Sequence, residues 1–146
     1  MFQQDPLLVH LLDVAFRAWQ RGDLLDARRL LQRALALAEA EQNHTACLQA
    51  HQLLGHVAHV RGELTVARRH HRAALRNSRA MGFGIGIASS LHNLGLVAAG
   101  EGRHQRACAL VSAAVTTYTR LRQPESAANA RANLERLAGS GRTVER

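Results

Sequence analysis

The sequence predicts an all-α fold, a right-handed α-solenoid of antiparallel helix pairs, on three observations. Gly22, Gly62 and Gly102 recur at intervals of forty residues. Around them small and apolar residues recur in phase: Leu54-Gly55 and Leu94-Gly95 before the second and third glycines, Ala27, Ala67 and Ala107 five residues after all three, and Ala34, Ala74 and Ala114 a further seven on. Residues seven apart lie on one helical face, and a period of this length marks a stacked repeat whose units bury their apolar faces on one another. Third, two prolines and three phenylalanines in 146 residues leave little material for a sheet, while 47% apolar and 21% charged residues describe a globular chain.

The elements follow in order. Asp5 as N-cap and Pro6 in the first turn open a helix over 6–20, and Asp23 caps a second over 24–41. The next pairs span 44–60 with 64–80 and 86–100 with 104–121, and a seventh helix runs over 124–138. The repeats thus occupy about 6–41, 44–80 and 86–121, with 124–138 as a capping helix, so residues 1–138 form one domain of about three and a half repeats. Residues 139–146 form a flexible tail. Each hairpin turns on its glycine, which accepts the left-handed conformation. Gly82, Gly84 and Gly86 form a flexible connection between repeats rather than a phosphate loop, since they join two helices and no Gly-Lys-Ser/Thr follows. Gly55 and Gly95 are expected to face Ala67 and Ala107, because small side chains let paired helices approach closely. Glu135 holds the equivalent place in the last helix, consistent with a solvated terminal face.

On these residues the chain resembles the tetratricopeptide repeat family over about residues 8–138. The forty-residue period and the stretch Gly86-Ile87-Ala88-Ser89-Ser90-Leu91-His92-Asn93-Leu94-Gly95 are most similar to the longer repeats of bacterial regulators and kinesin light chains. The resemblance implies a protein-interaction module whose first helices line a concave groove for a peptide segment. By position the groove residues are Leu12, Asp13, Phe16 and Trp19, then Gln49, Gln52, His56 and His59, then Ser89, His92, Asn93 and Leu96, and finally Asn129, Asn133 and Arg136. Asn93 and Asn133 match the family position whose amide contacts a peptide backbone. Asp13 and Leu53 stand there in the first two repeats, and the lysine pair of the carboxylate-clamp subtype is absent from a chain without lysine. An amide suits the task because it both donates and accepts. It serves equally to satisfy buried groups between repeats, and Phe16 and Trp19 serve equally to seal an exposed end.

Charge offers a second reading. Nineteen basic against eleven acidic residues give +8, concentrated at Arg28, Arg29, Arg33, Arg68, Arg69, Arg72, Arg76 and Arg79 on second helices, the convex side of such an array. A basic face attracts nucleic acid. No zinc-finger spacing and no aromatic platform for bases accompanies it.

Nine histidines show no metal-ligand spacing, no HExxH occurs, and no metal or cofactor is expected. His70 and His71 replace Leu30-Leu31 and Leu110-Val111, which predicts partial burial and sensitivity to acid. Ser89, Ser90 and Ser112 lack histidine and carboxylate partners, so no enzyme is visible. Cys47 and Cys108 sit in apolar helical patterns and form no disulfide framework, pointing to a cytoplasmic protein. The N-terminal apolar run is broken by His10, Asp13 and Arg17, unlike a signal peptide or membrane span. The expected function is therefore a regulatory or assembly adaptor, bacterial in type. Its partners are a protein or peptide, with a second copy held through the terminal helices; nucleic acid on the arginine face is the alternative.

Overall fold

The computed structural model describes residues 4–143, among which seven helices and no strand occur. They are α1 (Pro6–Gln20), α2 (Leu24–Ala40), α3 (His44–Val60), α4 (Leu64–Ala80), α5 (Gly84–Gly100), α6 (His104–Arg120) and α7 (Pro124–Thr143). The chain divides into two compact units between Asn77 and Ser78, inside α4. The first contains α1 to α3 and most of α4; the second contains the end of α4 and α5 to α7.

A 17-residue helix and a three-residue turn, repeated twice, fill the forty-residue period. Gly22, Gly62 and Gly102 take φ of 85°, 77° and 78° within the pairs. The turns between pairs use the same geometry with Gln42 at 54°, Gly82 at 62° and Arg122 at 57°. In each turn the next amide bonds back to a carbonyl five residues earlier, as Asp23 to Ala18, Asn43 to Ala38 and Glu63 to Ala58, all at 2.9 Å. This is the Schellman closure, and the left-handed residue is what lets it form. The backbone thus repeats every twenty residues, although the glycine signal repeats every forty.

Helix starts are less uniform. Asp5 accepts from the Leu7 amide at 2.8 Å and Asn43 from the Ala46 amide at 3.0 Å. Asp23 stands at the N-cap of α2 without making the expected side-chain cap; its carboxylate turns to Arg21 instead, at 3.5 Å. The Gly82–Gly86 connection is also shorter than expected. Only Gly82 lies in the turn, and α5 begins at Gly84, so both later glycines are helical and sit at tight positions. A Cβ on Gly84 would meet Leu121 at 3.0 Å, and one on Gly86 would meet Ser78 Oγ at 2.5 Å. At the other end α7 continues five residues past the expected limit of 138. Gly139 keeps a negative φ and Ser140 Oγ donates to the Arg136 carbonyl at 2.8 Å, so nothing stops the helix there. Of the expected tail, residues 144–146 lie outside the described residues.

The core follows one stripe on each second helix. Ala27, Leu31, Ala34 and Ala38 are fully buried on α2, and Ala67, His71, Ala74 and Ser78 on α4. On α6 the stripe is Ala107, Val111, Ala114 and Tyr118. In the first unit these side chains close against Leu8, Leu11, Ala15 and Ala18 of α1 and against Leu54 and Val57 of α3. In the second, α6 packs with Ala88 of α5 and Ala127 and Ala130 of α7. Glu135 is exposed on α7, as expected of a terminal helix.

The small residues of the first helices have specific occupants, and they differ from the expected alanines. Gly55 receives the His71 ring, whose atoms lie 2.5 Å from the place a Cβ would take. Gly95 receives Val111 Cγ2 at 2.5 Å, with the Ala107 carbonyl at 3.1 Å. Gly55→Ala is therefore expected to destabilise the chain by about 1–3 kcal/mol through overpacking. In chemical denaturation, this loss should shrink when His71→Ala removes the ring; equal losses in both backgrounds would contradict the contact.

Candidate functional site

A concavity of the first unit lies between α1 and α3. It has a volume of about 360 Å³ and is lined by Leu12, Asp13, Phe16, Gln49, Gln52, Leu53 and His56. These residues are not part of the buried stripe. They occupy the remaining face of each first helix because the small residues Ala15 and Gly55 and their neighbours are turned toward the second helices. Six of the eight residues expected to face a groove in the first two repeats, Leu12, Asp13, Phe16, Gln49, Gln52 and His56, meet here.

The lining is mixed. Phe16 is 42% exposed and stacks on Trp19 with ring centroids 5.8 Å apart. Trp19 is half-buried against the core and lies 6.1 Å from the His56 ring. Asp13 is paired to Arg17 at 3.1 Å on the exposed surface, an ion pair that contributes little to stability. Gln49 is exposed and Gln52 half-buried, so two amides line the concavity together with Phe16, Leu12 and Leu53. His59, half-buried one turn beyond His56, does not line it.

Behind His56 stands His71, edge-on with centroids 5.3 Å apart and 0% exposed. Neither ring nitrogen of His71 has a hydrogen-bond partner. Burial, and then the neighbouring His56, His59 and His70, push its pKa down to about 3. His70, alongside, is pushed down to about 4 by burial and then by His51 and Arg69. Burial and His59 lower His56 as well. The expected partial burial of the His70-His71 pair is thus divided: His70 is half-buried and His71 is enclosed.

In the second unit the expected residues lie on α5 and α7. His92 Nε2 and Asn133 Nδ2 are 2.8 Å apart, and Arg136 donates to the Asn133 carbonyl oxygen. Asn133 is buried, so both ends of its amide are engaged by side chains of the site itself. Burial lowers the pKa of His92, which keeps a neutral ring in this network. Ser89 is half-buried and bonded to the Tyr118 phenol, whose pKa burial pushes up. Asn93 and Leu96 are half-buried, while Asn129 and Arg136 are exposed. Sequence reasoning placed His92, Asn133 and Arg136 in one groove but did not find their mutual bonds. The spacing of three between 133 and 136 was the available signal.

The arginines of the second helices divide by partner. Arg28 reaches Glu63 at 3.3 Å and Glu63 also bonds Arg61 at 2.7 Å, which holds its carboxyl below the usual range despite some desolvation. Arg29 lies 3.9 Å from Asp26. Arg33, Arg69, Arg72, Arg76 and Arg79 are exposed, and Arg68 is half-buried. No group of three or more metal-ligating side chains converges among the described residues. Among the same residues no helix is long and apolar enough to cross a membrane.

No protein-family model matches the chain, and no curated protein matches it. Among solved structures it is similar to the crystal structure of BtubC (BKLC) from P. vanneervenii, with 24% identity and a TM-score of 0.78. The match covers 91% of this chain and 55% of that one, so the chain spans about half the length of this structural relative. The fold is thereby a TPR-like helical repeat.

The pH dependence of the first unit follows from His71 and His70. Their folded pKa values lie below the unfolded value of about 6.5, so the unfolded chain binds more protons and acid favours unfolding. Stability is expected to hold above neutral pH and to fall from about pH 6.5 toward pH 4, by up to roughly 1.4 kcal/mol per pH unit for each fully titrating ring. His71→Val, which installs the residue of the third repeat, should flatten the profile in denaturant titrations. An equally steep profile in this variant would contradict the assignment.

Proposed function

We propose that the chain is a non-enzymatic protein-interaction module that holds a segment of a partner protein along its first helices, as an adaptor in regulation or assembly of bacterial type. The observation that carries this reading is the concavity between α1 and α3, where Gln49 and Gln52 share the lining with the apolar Leu12 and Leu53 and with Phe16, which stacks on Trp19. Amides pair with a peptide unit whatever its side chain, and an aromatic end anchors one apolar residue. In the second unit Ser89, His92, Asn93, Leu96, Asn129, Asn133 and Arg136 form the corresponding wall. Asn93 is its freer amide, since Asn133 is held by His92 and Arg136. Self-association through α1 belongs to the same proposal, since Leu7 and Val9 are 50% and 46% exposed there. Action in the cytoplasm fits the unpaired cysteines Cys47 and Cys108.

The exposed Arg33, Arg69, Arg72 and Arg76 favour the second reading, association with nucleic acid. Binding of that kind weakens steeply between about 50 and 200 mM salt, whereas apolar and amide contacts persist. Capture from the source cell's lysate at about 200 mM salt, with and without nuclease, separates the two. A purified captured protein is expected to lose about 1–3 kcal/mol of binding with Gln52→Ala or Asn93→Ala, from the lost hydrogen bond. Capture abolished by nuclease and insensitive to both substitutions would transfer the function to the arginines.

A further inference from the structure

Five of the nine histidines fall in the second repeat, at positions 51, 56, 59, 70 and 71. One period earlier these places hold Leu11, Phe16, Trp19, Leu30 and Leu31, and one period later Leu91, Leu96, Ala99, Leu110 and Val111. Each histidine thus stands where both neighbouring repeats are apolar. Four of them meet in pairs across α3 and α4. His51 Nδ1 and His70 Nδ1 are 3.1 Å apart, and the His56 ring meets the edge of His71 with centroids 5.3 Å apart. Gly55 makes room for His71, whose ring lies 2.5 Å from the place a Cβ would take. That ring is 0% exposed and neither nitrogen has a partner. A neutral imidazole fills such a place as a packing group, whereas an imidazolium would bring a charge into a space that offers it no acceptor.

We propose that this cluster makes the α3–α4 pair a proton-operated latch, closed while the rings are neutral and opened by mild acid ahead of the second unit. The charged groups that act on the four rings are basic: Arg76 on His51, Arg69 on His70, His59 on His56 and His71, and the rings on one another. Of the nearby carboxylates, Glu63 is engaged by Arg61 and by Arg28 of α2, and Asp13 of α1, which shares the concavity with His56, pairs with Arg17. A proton on any ring therefore repels its neighbours, and hydration of His71 requires α3 and α4 to separate. Burial holds the pKa of all four rings below the ordinary value, to about 4 for His70 and about 3 for His71. The open pair thus binds up to four more protons than the closed pair, so closure is favoured above about pH 6.5 and lost as the pH falls below it. The α1–α2 and α5–α6 pairs, apolar at the same five places, gain no protons there. Opening displaces α3, which carries Gln49, Gln52 and His56 of the concavity. Release of a bound segment in acid is then the consequence; that consequence rests on the proposed function, and the latch itself does not.

The test is hydrogen exchange of the full chain at about pH 7.5 and pH 5.5, corrected for the intrinsic rates and read helix by helix by mass spectrometry. Protection of α3 and α4 is expected to fall about a hundredfold or more at the lower pH, about tenfold each from His70 and His71 alone. In the second unit, where burial lowers His92 alone among the histidines, the fall should stay within about tenfold. The variant His70→Leu/His71→Val installs the residues of the third repeat, whose Val111 already packs against Gly95 as His71 does against Gly55. It should recover that hundredfold at pH 5.5, and His51→Leu/His70→Leu, which leaves the enclosed ring in place, should recover part of it. An equal loss over α3 to α7 in the unmodified chain, or an undiminished loss in both variants, would overturn the latch. Because no partner enters the measurement, its failure would leave the reading of the concavity standing.

Discussion

Close approach of the two helices in each pair is the constraint on which the other features rest. Ala27, Ala34, Ala67, Ala74, Ala107 and Ala114 are all completely enclosed. With only methyl groups at these points the backbones come together, and a larger residue would have to be accommodated by its opposite, as the Gly55-His71 and Gly95-Val111 contacts show. Close pairing is matched by short turns closed by left-handed residues, so 17-residue helices alternate with three-residue connections. It also decides which side chains remain on the open side. Once the small face of α1 and α3 is turned inward, Phe16, Gln49, Gln52 and His56 are left on the open side.

The second repeat is where this economy is interrupted. Its stripe carries His71 and Ser78 where the first carries Leu31 and Ala38, and the polar atoms of both side chains are buried without partners. Buried polar groups left in that state lower stability. The cost falls on the helices that flank the concavity, since His71 backs His56 and His56 lines it. The lowered pKa values of His70 and His71 make the stability of this repeat depend on protons.

Much of this architecture was legible in the chain because it recurs. The forty-residue phase of Gly22, Gly62 and Gly102 locates three turns, and the Ala27 and Ala34 sets locate the buried stripes, so the boundaries of α3 and α4 agree with the sequence expectation. The other turns were harder to read because Gln42 and Arg122 adopt a conformation usually assigned to glycine. Gly84, Gly86 and Gly139 misled in the opposite sense: a glycine signals freedom, but Leu121 and Ser78 show that two of these sites are tight. At the candidate site, the residues that the repeat resemblance implied, Asp13, Phe16, Gln49, Gln52 and His56, line one concavity. The resemblance did not reveal that His92 of α5 meets Asn133 of α7, since such a pairing depends on side-chain direction across helices distant in sequence.

The central claim is that recognition belongs to the first helices and not to the arginines of the second. A photo-crosslinking residue placed at Gln52 in one sample and at Arg72 in another, each irradiated in the source cell's lysate at about 200 mM salt, tests it directly. The account predicts a discrete protein adduct from position 52 and none from position 72. Adducts confined to position 72, or nucleic acid in place of protein, would contradict it.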